Sequence, residues 1–496
     1  MDFCKVLIIG EQDWYNTDMR KVVQIAGCFM SGASGAATQC RLTVVFILGV
    51  LSLTAAASGT LPKLKVSDNR RFLATAEGKP FFYLADTAWE LFHRLTREEA
   101  VHYLDNRAAL GYNAVQAVAI AELEGIETPN AYGHKPFLPG KGAKLAIVEG
   151  KSNDYWDHVD FIVEAANRRG IYVAMLPTWG RWWKDGYFKP DTARAYARFL
   201  AGRYSSKAVI WVLGGDRRVE NDRERALIRA FAEGIRSVDR DNLITFHPTG
   251  GCSSADYFHL EGWLDFNMRQ NGHGIDCGRY CFDLRRDYAR RDPVKPVIDG
   301  EPVYEGHPIS FDPDRRGHTV AADIRRALYW DLFSGACGHT YGHHSVWQMY
   351  KAEKFPDAGK NRPLMTWREA LAEPGAKQMK FAKDLLLSYP FFSRIPDPSL
   401  IVDDAVKSLV PGAGTRRFAA TRDIEGTYAF VYAPVGRAFT VDFRNLPECR
   451  YQSAWMNPRT GEYSSWETFE RTNTRRFTPP CVGELLDWVL VIRKAN

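Results

Sequence analysis

Two acidic residues stand at the ends of short apolar runs: Asp216 in Leu213-Gly214-Gly215-Asp216, and Glu301 in Asp299-Gly300-Glu301-Pro302. A pair of carboxyls is what hydrolysis of a glycosidic bond requires. One protonates the leaving oxygen, and the other attacks the anomeric carbon or activates water. Each residue also has a plainer reading. An Asp after two glycines is often a turn residue or a helix N-cap, and a Glu before Pro is often a surface group or salt-bridge partner. Glu122, Glu124 and Glu305 are rival carboxylates, with Glu305 the first alternative to Glu301. Asp299 is expected to point into the wall of the fold.

The residues that follow the other apolar runs enlarge the set. Asp86, Trp89, Gln116, Trp179, His247, Gln270, Tyr341, His343 and Trp347 are expected to bind substrate, in the company of Arg181, Trp182, Trp183, Arg269, His273 and His344. Flat aromatic faces with amides and imidazoles suit a polyhydroxyl ligand. Asp86 reads as a partner for a sugar hydroxyl, and Trp179 as a stacking wall. His343-His344 is a poor chelate, because neighbours on extended backbone project to opposite sides. With no Cys/His set at zinc spacing, neither a metal nor another cofactor is expected.

These residues need a scaffold that brings strand ends to one rim. Eight β-like runs follow residue 62: 81–86, 114–120, 172–177, 209–213, 243–246, 264–268, 296–299 and 338–341. Most are continuously apolar, as in strands covered on both faces. Helical patterns lie between them. Thr96-Arg97-Glu98-Glu99 is a capping box opening a helix that stops at Gly111. Residues 155–169 place Trp156, Val159, Val163 and Ala166 on one face before Gly170. Asp191 and Thr192 open a third helix, and 319–333 reads as another. Alternating strand and helix over this length fits a (β/α)8 TIM barrel spanning 62–395, whose active site lies at the C-terminal strand ends. The ends of the fourth and seventh strands, carrying Asp216 and Glu301, can reach one cleft. An open doubly wound sheet is the alternative, but no glycine-rich phosphate turn follows the first strand. After Pro396-Asp397-Pro398 the pattern becomes short strands and turns, 428–432, 439–443, 451–455 and 488–492, which predicts a small all-β sandwich over 400–496.

The chain has 496 residues, is 45% hydrophobic and 13% aromatic, and carries 14 Trp, which excludes bulk disorder. Its net charge of +6 is spread over 65 basic and 59 acidic residues with no basic run, so no nucleic-acid partner is expected. Residues 42–53 are apolar, Arg41 precedes them, and Ala55-Ala56-Ala57 follows. That layout predicts a secretory signal peptide over 1–57, cleaved near Ala57, and a secreted or periplasmic product without stable membrane insertion. Met30 would give a leader of ordinary length; an uncleaved anchor is the competing reading. Six cysteines remain after the leader, at 252, 277, 281, 337, 449 and 481; Cys449 and Cys481 could pair.

The motifs together carry a family resemblance. Phe81-Phe82-Tyr83-Leu84-Ala85-Asp86-Thr87-Ala88-Trp89, Trp211-Val212-Leu213-Gly214-Gly215-Asp216 and Asp299-Gly300-Glu301-Pro302-Val303-Tyr304-Glu305 resemble the first-, fourth- and seventh-strand motifs of the apiosidase-like glycoside hydrolases. The tail, with Trp455, Asn457-Pro458-Arg459-Thr460-Gly461 and Asp487-Trp488-Val489-Leu490, is similar to the β-sandwich appended to that family, which carries a collagen-binding label. The resemblance implies a retaining hydrolase with Asp216 as acid/base and Glu301 as nucleophile. It departs from the wider retaining clan, where Asn-Glu ends the fourth strand. It further implies an oligo- or polysaccharide substrate of pectin type, with apiose release from rhamnogalacturonan II as the family's activity. The rival classes are a non-catalytic carbohydrate-binding protein, which would lack a close carboxyl pair, and a metal-dependent barrel hydrolase, which would show convergent His/Asp ligands.

Overall fold

The computed structural model describes residues 61–495, apart from 141, 151–153, 276–278, 355–362 and 403–413. The expected leader over 1–57, Met30 and Cys277 lie outside the described residues. Among those described, no helix is long and apolar enough to cross a membrane.

Eight strands form one parallel sheet: β1 Tyr83–Thr87, β2 Ala114–Val118, β3 Tyr172–Leu176, β4 Val209–Gly214, β5 Ile244–His247, β6 Asn267–Arg269, β7 Val297–Asp299 and β8 Gly338–Tyr341. Their order is β5-β4-β3-β2-β1-β8-β7-β6. The ring closes between β5 and β6 through side chains: Asp265 Oδ2 accepts from Ile244 N at 2.6 Å, and Thr245 Oγ1 donates to Phe266 O at 2.7 Å. One main-chain bond joins them, Asp265 N to Ile244 O at 2.9 Å. Every residue of the eight strands is buried, in accord with their apolar runs. The result is a TIM-like barrel. The sixth strand starts three residues later than its apolar run predicts, because Leu264 and Asp265 cap Lys295 and the β5 edge instead of pairing.

Helix starts follow their sequence signals. In α1, Arg97–Ala109, Thr96 Oγ1 accepts from Glu99 N and Glu99 Oε2 accepts from Thr96 N, at 3.3 and 3.0 Å. In α2, Tyr155–Arg168, Asp154 Oδ1 caps the amides of Trp156 and Asp157. Pro190 at the first turn opens α3, Pro190–Tyr204. Further helices are α4 Asp222–Arg236, α5 Arg279–Tyr288, α6 Ala321–Phe333 and α7 Pro374–Leu387. A hairpin of three short strands, 64–66, 73–75 and 80–81, was not foreseen from the sequence. It packs beside the N-terminal strand ends: Phe81 lies edge-on to Tyr172 at 5.1 Å, and Tyr172 donates to Pro62 O at 2.5 Å.

The C-terminal part has two antiparallel sheets. The larger joins β9 Arg394–Pro396, β10 Ala419–Asp423, β11 Tyr428–Ala433, β13 Arg450–Met456, β14 Glu467–Glu470 and β16 Trp488–Lys494, in the order β9-β10-β11-β16-β13-β14; β12 Phe439–Asp442 pairs β15 Thr474–Phe477. Phe439, Val441, Phe443, Tyr451, Phe477 and Leu490 fill the sandwich. Its other face packs on α6, where Tyr329 stacks on Tyr432 at 4.7 Å. Asp487 there is gripped by Arg325 at 2.8 Å and Arg459 at 2.9 Å. Cys449 and Cys481 are not paired; both are free thiols, as are Cys252, Cys281 and Cys337.

Candidate active site

The fourth strand ends in a turn that few sequences could make. Gly214 and Gly215 have φ of +94° and +105°. A Cβ on Gly214 would lie 2.4 Å from His247 O, and one on Gly215 would lie 2.8 Å from Gly180 N. Asp216 follows with φ +46°, a region that Asp enters more readily than most residues. It is not an N-cap, since Asn221 caps α4 by accepting from Glu224 N at 3.0 Å. Its amide donates to His247 Nδ1 at 3.3 Å, Thr249 Oγ1 donates to Oδ1 at 3.4 Å, and Arg217 Nη1 lies 3.4 Å from Oδ2. The side chain is 34% exposed, so the site opens to solvent here.

Glu301, beyond β7, lies deeper, with 7% of its side chain exposed. Its Oε2 is 3.0 Å from His247 Nε2 and its Oε1 is 3.2 Å from His273 Nε2. His247 therefore bridges the two acids: one ring nitrogen accepts from the amide of Asp216, and the other faces Glu301. The ring is fully buried, edge-on to Trp89 at 5.4 Å and 6.0 Å from Trp179. Both tryptophans are nearly inaccessible, so they wall His247 rather than offering a broad stacking face.

The electrostatics separate the two carboxyls. Burial and the neighbouring Glu301 charge raise Asp216, against smaller lowering effects from His247, Arg217 and a hydrogen bond from Gln270. Burial also acts to raise Glu301, but the hydrogen bonds and charge of His247 and His273 outweigh it and hold the carboxyl well below its ordinary range. The two acids are pushed in opposite directions, the pattern that assigns acid and anion roles in paired-carboxyl enzymes.

Of the rival carboxylates, Glu305 is tied down by Tyr341 Oη at 2.6 Å and Gly375 N at 3.1 Å, with burial pushing it up to about 7. Glu124 pairs with Arg181 at 2.7 Å. Glu122 is half-buried; burial and the charges of Glu90, Asp216 and Glu301 push it up to about 8, so it belongs to the same acidic cluster. Asp299 lies in the wall, fully buried, accepting from Glu301 N at 3.1 Å and from Asn271 Nδ2 at 2.6 Å.

Several expected substrate contacts are corrected. Asp86 is fully buried and bonded to Arg107 Nε and Tyr103 Oη, each at 2.6 Å, so it is an internal ion pair rather than a sugar-hydroxyl partner. Gln116 is also fully buried; its Nε2 donates to Gly300 O at 2.7 Å and pins the peptide before Glu301. The Tyr341 hydroxyl is spent on Glu305. His343 is buried, its Nδ1 accepting from Ser345 N at 3.0 Å, which leaves it a helix cap. Gln270 is buried and acts to lower Asp216, and Trp347 remains half-buried, with its indole donating to His344 Nδ1 at 3.4 Å. Two neighbours of Glu301 complete the site. His273, expected on the rim, contacts the acid directly. Tyr304, absent from the expected site, has its hydroxyl pushed up by burial and by Glu301 and stands three residues after that acid. Its signal in the sequence is that nearness to Glu301 on the same rim loop.

Among the described residues no group of three or more His, Cys, Asp or Glu side chains is placed to hold a metal ion. Residues 67–393 match the family model "Apiosidase-like, catalytic domain", and 395–493 match a model named for a collagen-binding domain of a collagenase. A solved structure described as a glycoside hydrolase is 34% identical, with 88% of this chain and 97% of that chain covered and a TM-score of 0.79. A glycoside hydrolase family 5 structure from Bacteroides vulgatus ATCC 8482 is 33% identical, covering 87% of this chain and 93% of that chain, with a TM-score of 0.78. No protein of curated function matches. Barrel, family model and structural relatives together define a glycoside hydrolase. Within that class, the chain belongs to the apiosidase-like family.

Proposed function

We propose that this enzyme is a secreted or periplasmic retaining glycosidase acting on pectin-like plant-wall glycans, with apiosyl linkages the first to test. The observation that carries the chemistry is the placing of two strand-end carboxyls on either side of His247, Asp216 through its amide at 3.3 Å and Glu301 at 3.0 Å, with surroundings that raise the first and lower the second. Protonated Asp216 gives its proton to the glycosidic oxygen as Glu301 attacks the anomeric carbon, and the C–O bond to the leaving alcohol breaks. Water then loses a proton to the Asp216 carboxylate and attacks the same carbon, releasing Glu301. His247 and His273 keep Glu301 anionic between turnovers. The substrate class rests on the family, and the export on the leader-like segment around residues 42–57.

The test is incubation with a panel of plant-wall oligosaccharides, reading the released monosaccharide and its first-formed anomer by NMR. Retention of configuration is expected; inversion removes the nucleophile role from Glu301. Asp216→Asn should lower kcat by about 100- to 10,000-fold, and Glu301→Gln should abolish turnover. Near wild-type turnover in either rejects its assigned role. A second reading, with Glu122 as the proton donor, is favoured by its place in the acidic cluster. It predicts that Glu122→Gln, rather than Asp216→Asn, removes the alkaline limb of the pH profile.

A further inference from the structure

The loop after β7 holds an aromatic side chain in an uncommon position. Phe311 is 58% exposed. A single exposed apolar residue needs no explanation by itself, but this one carries two further features. Phe311 has φ +61° and Ser310 before it has φ +53°, so two consecutive residues with side chains occupy the left-handed region. For a bulky residue that conformation is a true outlier, and such outliers cluster at ligand clamps. The turn is also pinned from three sides: Ser310 N donates to His273 O at 3.0 Å, Ile309 N donates to Gly317 O at 3.0 Å, and Arg316 Nη1 donates to Ser310 Oγ at 2.6 Å.

The pinned ring stands at the catalytic rim. It is edge-on to His307 at 4.9 Å and to His273 at 5.7 Å, while His273 stacks on His307 at 4.0 Å and touches Glu301 at 3.2 Å. One imidazole, His273, therefore separates Phe311 from the Glu301 carboxylate. Trp89 and Trp179, which flank His247, are buried and cannot serve as an outer stacking surface.

We propose that Phe311 is the stacking platform of a second sugar subsite, receiving the unit that flanks the one being cleaved. The proposal rests on the glycosidase reading for the class of ligand. Strain is retained here because it presents an apolar face to the C–H face of a pyranose or furanose ring, and aromatic stacking on flat rings contributes enough to be read in affinity.

The test uses full-length protein with Glu301→Gln, which holds substrate without turnover, and the same protein carrying Phe311→Gly, Phe311→Ala or Phe311→Trp. Binding of the plant-wall oligosaccharide panel is measured by calorimetry, and thermal midpoints are recorded in parallel. Phe311→Gly and Phe311→Ala should weaken oligosaccharide binding about ten-fold. Phe311→Trp should retain it, and binding of the corresponding monosaccharide should be unchanged in all. Glycine relieves the positive φ, so Phe311→Gly should also hold or raise the thermal midpoint, a sign opposite to that of a structural role. Equal oligosaccharide affinity with and without the ring overturns the platform, as does equal loss on monosaccharide and oligosaccharide. If no glycan of the panel binds even with Phe311 intact, the platform falls. If the ring matters for binding but wild type cleaves nothing, the platform stands and the hydrolase reading fails.

Discussion

Glu301 must remain anionic and Asp216 protonated over a common range of pH, and their surroundings act in those directions. Activity should fall as pH drops through the lowered pKa of Glu301, because the nucleophile is then protonated. It should fall again as pH rises through the raised pKa of Asp216, because the acid is then lost. The expected kcat/KM profile is a bell, with its acid limb below the ordinary glutamate value. His273→Asn removes one imidazole from Glu301 and should move that limb upward; an unmoved limb would show that His273 does not hold the anion. Both proposed catalytic acids were legible because each ends an apolar run, and barrels place such residues at one rim. Asp86 and Tyr341 end runs too, and Gln116 lies within one, yet they turn toward partners from other elements. Arg107 comes from α1, and the Gly300 carbonyl and Glu305 from the region after β7. A strand end fixes height on the barrel; the direction of the side chain depends on partners distant in sequence.

At the scale of elements, the junction from β4 to its following loop is the most constrained feature. Gly215→Ala should cost about 1–3 kcal/mol and lower kcat/KM by roughly 100-fold, because the added methyl both strains φ and meets Gly180 N, displacing Asp216. Gly250→Ala, which meets nothing within 4 Å, is the matched control and should be neutral in thermal melts and kinetics. Comparable effects at both positions would contradict this account. The helix α1 begins where its capping box predicts, since a cap is a local signal. The N-terminal hairpin escaped detection, and the start of the three-residue β6 was placed too early, for the reverse reason: short strands are defined by their neighbours.

The whole molecule depends on one buried charge cluster. Asp487 is 2% exposed and Arg325 4%, and Tyr432 Oη adds a hydrogen bond to Asp487 at 3.0 Å. Asp487→Ala strands two guanidinium groups between barrel and sandwich and should cost about 3–5 kcal/mol, read as a lower midpoint in calorimetry. Specific activity at low temperature should survive, since the cluster lies outside the catalytic machinery. A small shift would mean that other contacts, such as the Tyr329–Tyr432 and Phe333–Phe430 stacks and the bond from Trp330 to Arg417 O, hold the two parts together. The face that carries these contacts is spent on the barrel, which supports a structural role for the sandwich.

The barrel wall between β5 and β6 is held mainly by a hydroxyl and a carboxylate, bonds that water can replace one at a time. His247 ends one lip and Gln270 follows the other, so two of the groups that touch the proposed acids sit astride that seam. Local breathing there, well short of global unfolding, loosens the grip on Asp216 and Glu301 together. The catalytic rim is thus expected to soften before the rest of the hoop gives way.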